Sequence, residues 1–298
     1  MTSLHADVYL NTGIPVVPPS TIPGGFPSIW TPSTSTLIHS AHEAVLVDPL
    51  LTRDEGTALA DWIAETIPNK TLKYVYVTHG HGDHYFGITP ILARYPNAIP
   101  IATQGVLEHL EDQIGADIWA NWQTWFPGNQ FEKPDLSKIQ VFSKNQTKDS
   151  YPTFYLDEHP LHVVPVGHGD TDASTVLWSP DLNLVAAGDV VYNGGFQYVA
   201  ESTTPEKRQE WIHAIEKVRS LKPTSIVTGH KRIGAVDGAW TLDWTQQYLR
   251  TWGQKAEEVQ KEGGGALEMF WKMKAAFPDN TGYFILWLSS LAQFPPKK

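Results

Sequence analysis

Four apolar runs in this chain each end on a residue able to hold a metal ion. "YVYVTH" stops at His79, "LHVVPVGH" at His168, "NLVAAGD" at Asp189 and "SIVTGH" at His230. Aromatic and β-branched runs of this length read as buried strands. A strand that ends in Thr-His, Gly-His or Gly-Asp puts a polar ligand at the edge of a sheet. The first run continues into "GHGDHYFG", so that His79, His81, Asp83 and His84 fall within six positions. Glycine adds nothing to a core, and Gly80 and Gly82 read as freedom for the backbone to turn until the imidazoles converge. If the four edges face one way, seven ligands meet: His79, His81, Asp83, His84, His168, Asp189 and His230. Imidazole nitrogen and carboxylate oxygen suit zinc, and also iron and manganese. Seven protein ligands exceed what one tetrahedral ion uses. The expectation is two divalent metal ions, Zn2+ first, sharing a carboxylate.

Composition narrows the classes. The 298 residues contain no cysteine, which excludes disulfides, thiolate ligands and a cysteine nucleophile. A net charge of −10 argues against a nucleic-acid partner, which calls for a basic surface. No apolar run approaches the roughly 20 residues that span a bilayer. The opening "MTSLHADVYLNTGIPVVPPS" lacks a basic segment followed by an apolar one. The expected location is cytoplasmic, with no membrane contact.

Along the chain, residues 1–33 are rich in Pro, Ser, Thr and Gly and read as an irregular N-terminal arm. Residues 34–235 read as the main domain. Strands are expected at 36–40, 44–48, 74–77, 99–102, 139–142, 153–156, 161–166, 174–178, 184–188 and 225–230. Residues 104–126 read as helical and then aromatic, and helices are expected at 53–67, 86–95 and 204–221. In the last, Thr204 reads as the N-cap before Pro205, with Trp211, Ile215 and Val218 on one face. Residues 236–298 read as a helical extension packed on the same domain, broken at Gly263-Gly264-Gly265. Sheets inside and helices outside define an α/β fold.

The order H-x-H-x-D-H, then His, Asp and His, resembles the metallo-β-lactamase-fold hydrolases over roughly residues 34–235. The resemblance implies that this is the catalytic domain, an αββα sandwich with the metals at one edge. It implies His79, His81 and His168 on a first metal, Asp83, His84 and His230 on a second, and Asp189 bridging. Asp48, in "VLVDP", reads equally as a turn residue before Pro49 or, by the resemblance, as a support for the metal loop. Tyr192 follows Asp189 by three residues, the offset at which the family's acyl-homoserine-lactonase-like branch carries a tyrosine that hydrogen-bonds the substrate carbonyl. The zinc β-lactamases with a cysteine ligand do not fit this chain. His81 argues against the diiron flavoproteins, and the acidic charge against the RNA-processing branch.

What the resemblance implies is a dinuclear hydrolase that opens a small cyclic ester or cyclic amide, a lactone or lactam, by attack of metal-bound hydroxide. Asp83 and Tyr192 are its expected catalytic groups. The small-molecule substrate is expected to be apolar or aromatic, because "DIWANWQTWFPGNQF" (117–131) reads either as a pocket wall or as core. "NGGFQYVAE" (193–201) reads as the opposite wall. The stripe Trp240, Trp244, Tyr248 and Trp252 reads as core or as a contact in a homo-oligomer. A glyoxalase II-like thioesterase is the alternative, kept open by Lys231-Arg232, and a metal-retaining binding module without catalysis is another. His5, His39, His42, His109, His159, His162 and His213 lack motif context and read as surface or packing residues.

Overall fold

The structure is a computed structural model and describes residues 3–142 and 151–296. The first two residues of the expected arm and the last two of the extension lie outside the described residues. Two sheets lie face to face. The first has six strands, in the order His5–Leu10, Thr34–His39, Glu43–Val47, Thr71–Tyr76, Ile99–Ala102 and Gln140–Val141. The second has five, in the order Ser225–Val227, Leu184–Ala186, Ser174–Ser179, His159–Gly167 and Thr153–Leu156.

Successive side chains of a strand point to opposite faces, and this sorts the core into layers. Ile38, Val45, Val47, Tyr76 and Ile101 of the first sheet cluster with Leu161, Val163, Leu177, Ala186 and Val227 of the second. Their sequence neighbours Leu37, Ala44, Leu46 and Val75, and on the other sheet Val164, Val176, Val185 and Ile226, join a cluster with helical residues instead. The result is the αββα sandwich. Burial on both faces is why the strands read as continuous apolar runs rather than alternating ones.

The helices follow their end signals. Thr52 accepts the amide of Glu55, whose carboxylate takes the Thr52 amide in return, and this capping box starts Arg53–Thr66. Thr204 accepts the amide of Lys207 ahead of Pro205–Ser220, which buries Trp211, Ile215 and Val218 as the spacing predicts.

Four local expectations need correction. The arm is not irregular throughout: His5–Leu10 pairs antiparallel with Thr34–His39 as the edge strand, and Ile14–Pro15 pairs with Ile29–Trp30. A short edge strand whose side chains are only partly buried carries too little alternation to stand out from a loop. The stretch 104–126, read as helical and then aromatic, forms two helices, Gln104–Gln113 and Ala116–Trp125, because Gly115 takes an extended conformation between them. The strand expected to reach 188 stops at Ala186, and Asp189 rides on a 3₁₀ turn, Gly188–Val190. Gly80 and Gly82 do lie where the chain bends, but neither has positive φ, so the turn itself does not call for glycine. They are glycines because a Cβ would lie 2.5 Å from His109 at the first and 2.4 Å from Phe86 at the second.

After the break at 263–265 the extension continues as Ala266–Ala276 and Tyr283–Gln293, both packed on the main core. Tyr248 and Trp252 of the aromatic stripe are core, while Trp240 is half exposed.

Gly82→Ala tests the close-packing reading. Overpacking against the buried Phe86 ring is expected to cost about 1–3 kcal/mol of stability. Thermal denaturation reads this as a lower midpoint, and an unchanged midpoint would show that the ring yields freely.

Candidate metal centre

The strand Thr71–Tyr76 runs into the loop that carries His79, His81 and the 3₁₀ turn Gly82–His84. The second sheet meets this loop directly: the Thr175 amide donates to the Thr78 carbonyl at 2.9 Å. Asp189 arrives on its own turn. His230 starts a two-residue strand that pairs in parallel with Tyr192-Asn193.

These pieces converge in two groups. In one, His230 Nε2 lies 3.1 Å from Asp83 Oδ2 and 3.2 Å from Asp189 Oδ2. His84 Nε2 lies 3.2 Å from Asp189 Oδ1 and 3.6 Å from Asp83 Oδ2. In the other, Asp170 Oδ2 lies 3.0 Å from His81 Nδ1 and 3.9 Å from His79 Nε2. The His79 and His84 rings, 4.2 Å apart, join the two. All seven side chains are buried.

Six of the seven expected ligands therefore meet, and His168 does not. Its Nδ1 is 2.7 Å from Asp172 Oδ1 and its Nε2 is 2.7 Å from Ser202 Oγ, so both ring nitrogens are engaged elsewhere. Asp170 stands where His168 was expected. The strand His159–Gly167 shifts register between Pro165 and Gly167, and Gly167 has φ +97°. Past such a bulge, strand parity no longer says which side chain faces the site. The only signal in the sequence is the acidic pair in "GHGDTD".

Each converging imidazole has its outer nitrogen held. His79 Nδ1 is 2.9 Å from Thr78 Oγ1, and His81 Nε2 is 3.0 Å from Glu201 Oε1. His84 Nδ1 is 3.0 Å from Asp48 Oδ2, and His230 Nδ1 is 3.1 Å from Thr31 Oγ1. Asp48 also accepts the amide and hydroxyl of Thr78, so its support of the loop is more than a turn before Pro49. The carboxylates are oriented too: the Trp30 indole donates to Asp83 at 3.0 Å, and the Tyr192 hydroxyl donates to Asp189 at 2.7 Å. Tyr192 thus meets the expected bridging carboxylate. Outer partners of this kind fix ring orientation and tautomer around a metal.

What five of the inner atoms lack is a well-formed hydrogen bond. His79 Nε2, His84 Nε2, both oxygens of Asp170 and Oδ1 of Asp189 are buried without a hydrogen bond. Each such atom costs about 1–3 kcal/mol. Five at one spot fit a cation bound among them. The protonation pattern agrees. Burial alone would lower His84 and His230, but Asp189 and Asp83 outweigh it, holding His84 well above the imidazole range and His230 at about 10. Burial alone would raise Asp189, but His230 and His84 draw it well below the carboxylate range.

A cavity of about 210 Å³ opens onto this centre. Trp30, Trp122, Trp125, Tyr198 and Ile285 line it together with Asp83, Asp170, Asp189 and Glu201. The segment 117–131 serves both of its readings: Trp122 and Phe126 are buried, while Ile118, Asn121, Trp122 and Trp125 line the cavity. From 193–201 come Tyr198 and Glu201. Trp30 and Thr31 come from the arm and Ile285 from the extension, where no motif marked them. His109, read as a packing residue, sits 5.3 Å from the His81 ring. Lys231 is tied to Asp237 at 2.7 Å and Arg232 to the Asp279 carbonyl at 3.1 Å, and neither lines this cavity.

An αββα sandwich with a His/Asp centre at one edge, its inner ligand atoms unpartnered, defines a metal-binding protein class. The chain belongs to the Metallo-beta-lactamase superfamily, whose profile matches residues 28–230. It is 30% identical to a UPF0173 metal-dependent hydrolase of Staphylococcus carnosus over 129 residues, 40% of this chain and 50% of that protein. It is 37% identical to a hydroxyacylglutathione hydrolase of Francisella tularensis over 70 residues, 23% of this chain and 25% of that one. The chain thus spans half or less of the length of these relatives. A metallo-beta-lactamase type 2 of Bacteroides fragilis is 22% identical over 73% of this chain and 75% of its own. Among solved structures, a metallo-beta-lactamase from Pontibacter korlensis superposes with a TM-score of 0.56 at 18% identity, covering 83% of this chain and 99% of that one. The likeness is one of fold.

Two predictions follow from the geometry. Asp170→Ala is expected to lower the metal content per chain, and His168→Ala to leave it unchanged, as read by elemental analysis. The reverse outcome would return His168 to the centre. The second concerns pH. The raised His230 stabilises the ion-free fold fully below the unfolded imidazole value of about 6.5, and this stability is lost as pH rises toward about 10. The thermal midpoint of chelator-treated protein should fall between pH 7 and 10, and a flat profile would contradict the pairing.

Proposed function

We propose that this chain is a metal-dependent hydrolase that opens a small ester or amide, first of all a lactone or lactam, with an apolar or aromatic body. One observation supports the reading above others: the unpartnered ligand atoms of the buried His/Asp centre lie beside a cavity lined by tryptophans. His79, His81 and Asp170 are the proposed holders of one divalent ion, and Asp83, His84 and His230 of a second, with Asp189 shared. Zinc is the first candidate, and nitrogen and oxygen donors also accept manganese and iron. Such ions supply Lewis acidity and lower the pKa of water toward neutrality.

The chain's own residues supply the rest. Tyr192 and Trp30 donate to Asp189 and Asp83 and keep those carboxylates oriented. Asp83 is the proposed carrier of the proton from the attacking water to the leaving oxygen or nitrogen. The aromatic lining covers an apolar ring and excludes bulk water, which strengthens every charge interaction in the site. A thioester is the second reading, favoured by the match to the Francisella hydroxyacylglutathione hydrolase. The engaged Lys231 and Arg232 count against it.

The test is a mass-spectrometric panel on metal-loaded protein: a lactone series, a lactam series, S-lactoylglutathione and a phosphodiester. Turnover of a lactone or lactam is expected, with loss on the order of 100-fold or more after chelation and recovery on adding a divalent ion. Turnover of S-lactoylglutathione alone would install the thioesterase reading. No turnover with metal bound would leave a binding module.

A further inference from the structure

We infer that this cavity selects substrates without negative charge, and that Asp170 and Glu201 are the groups that exclude anions. The inference rests on the hydrolase reading above and names its substrate class.

Four carboxylates, Asp83, Asp170, Asp189 and Glu201, line one cavity, and among the described residues that line it there is no Lys or Arg. Four carboxylates match the charge of two divalent cations. The loaded centre then holds no surplus positive charge to attract an anion. With histidine in place of Asp170 and a neutral residue at 201, two positive charges would be left over.

Neither group is free to swing away. Asp170 is 1% exposed. Glu201 accepts from Thr171 Oγ1 at 2.6 Å and lies 3.0 Å from His81 Nε2. The cations nearby in sequence are engaged elsewhere: Lys207 with Asp172, Arg208 with the Ser202 and Thr203 carbonyls, Lys231 with Asp237 and Arg232 with the Asp279 carbonyl. The remaining lining, with Trp30, Trp122, Trp125 and Ile285, offers apolar surface. An uncharged aromatic or alkyl lactone or ester fits this chemistry. A ring that bears a free carboxylate, or a glutathione conjugate, meets carboxylates at short range with no cation to answer its charge.

The experiment uses a matched pair of aryl-substituted lactones that differ only in a distal group, one a carboxylate and the other its methyl amide. Metal content is measured in every sample. With wild-type protein the neutral twin is expected to be favoured at least about 10-fold in kcat/KM, and added salt should narrow the gap by screening. Asn121, an exposed residue of Ala116–Trp125 on the cavity, is changed to Lys. Asn121→Lys should raise the anionic twin relative to the neutral one about 10-fold. Glu201→Gln should move the ratio the same way. Equal turnover of the twins, or a ratio that neither substitution moves, overturns the inference while leaving hydrolysis intact. Turnover of neither twin, together with no turnover across the wider substrate panel, overturns the hydrolase reading. Calorimetry on the same loaded protein then decides charge selection: tighter binding of the neutral twin sustains it, and equal binding ends it.

Discussion

The structure depends on one arrangement, a buried cluster of imidazoles and carboxylates whose inner atoms face each other. Taking these groups out of water is costly, and the cost is recovered only if opposite charges meet and the remaining lone pairs are satisfied. The outer atoms are satisfied by protein, through Thr78, Glu201, Asp48 and Thr31. Five of the inner atoms are not, and a cation bound among them would complete them. The sandwich therefore does more than bury strands. It carries the ends of both sheets to one place and holds them there through contacts such as Thr175 to Thr78.

Segments far apart in sequence finish the site. Trp30 reaches Asp83 because its short strand pairs with Ile14-Pro15 and its ring packs against Trp122 and Phe126. Ile285 reaches the cavity because the last helix, Tyr283–Gln293, is anchored by Ser289, which accepts the Val199 amide. The arm and the extension thus share the apolar lining with Ala116–Trp125, while the two sheets supply the polar centre. The apolar lining and the polar centre thus come largely from different parts of the chain.

Asp170 changes the character of the centre. A carboxylate beside His79 and His81 adds a hard oxygen donor and a negative charge where an imidazole would add neither. Glu201 behind His81 adds another. Both residues add negative charge to the wall of the cavity. His168 is free for a structural task, tying Asp172 of its own loop to Ser202 ahead of the helix Pro205–Ser220.

Much was legible in the sequence, because apolar runs that end in His or Asp tie chemistry to strand ends without reference to the rest of the fold. The helix caps at Thr52 and Thr204 are local for the same reason, since a side chain and the next few amides suffice. Six converging residues, from His79 to His230, belong to this class. Other features were set only by tertiary structure. Asp170 took its place because a register shift and a positive φ at Gly167 undid strand parity. Gly80 and Gly82 are dictated by His109 and Phe86, and the latter pair meet only once the loop has folded. His5–Leu10 became a strand because Thr34–His39 offered it an edge. Trp30, Glu201 and Ile285 reached the cavity through packing between distant segments. Sequence by itself determined the groups that strand ends deliver, since period and punctuation are local. Tertiary structure decided which of them face one another, since that depends on contacts no local pattern contains.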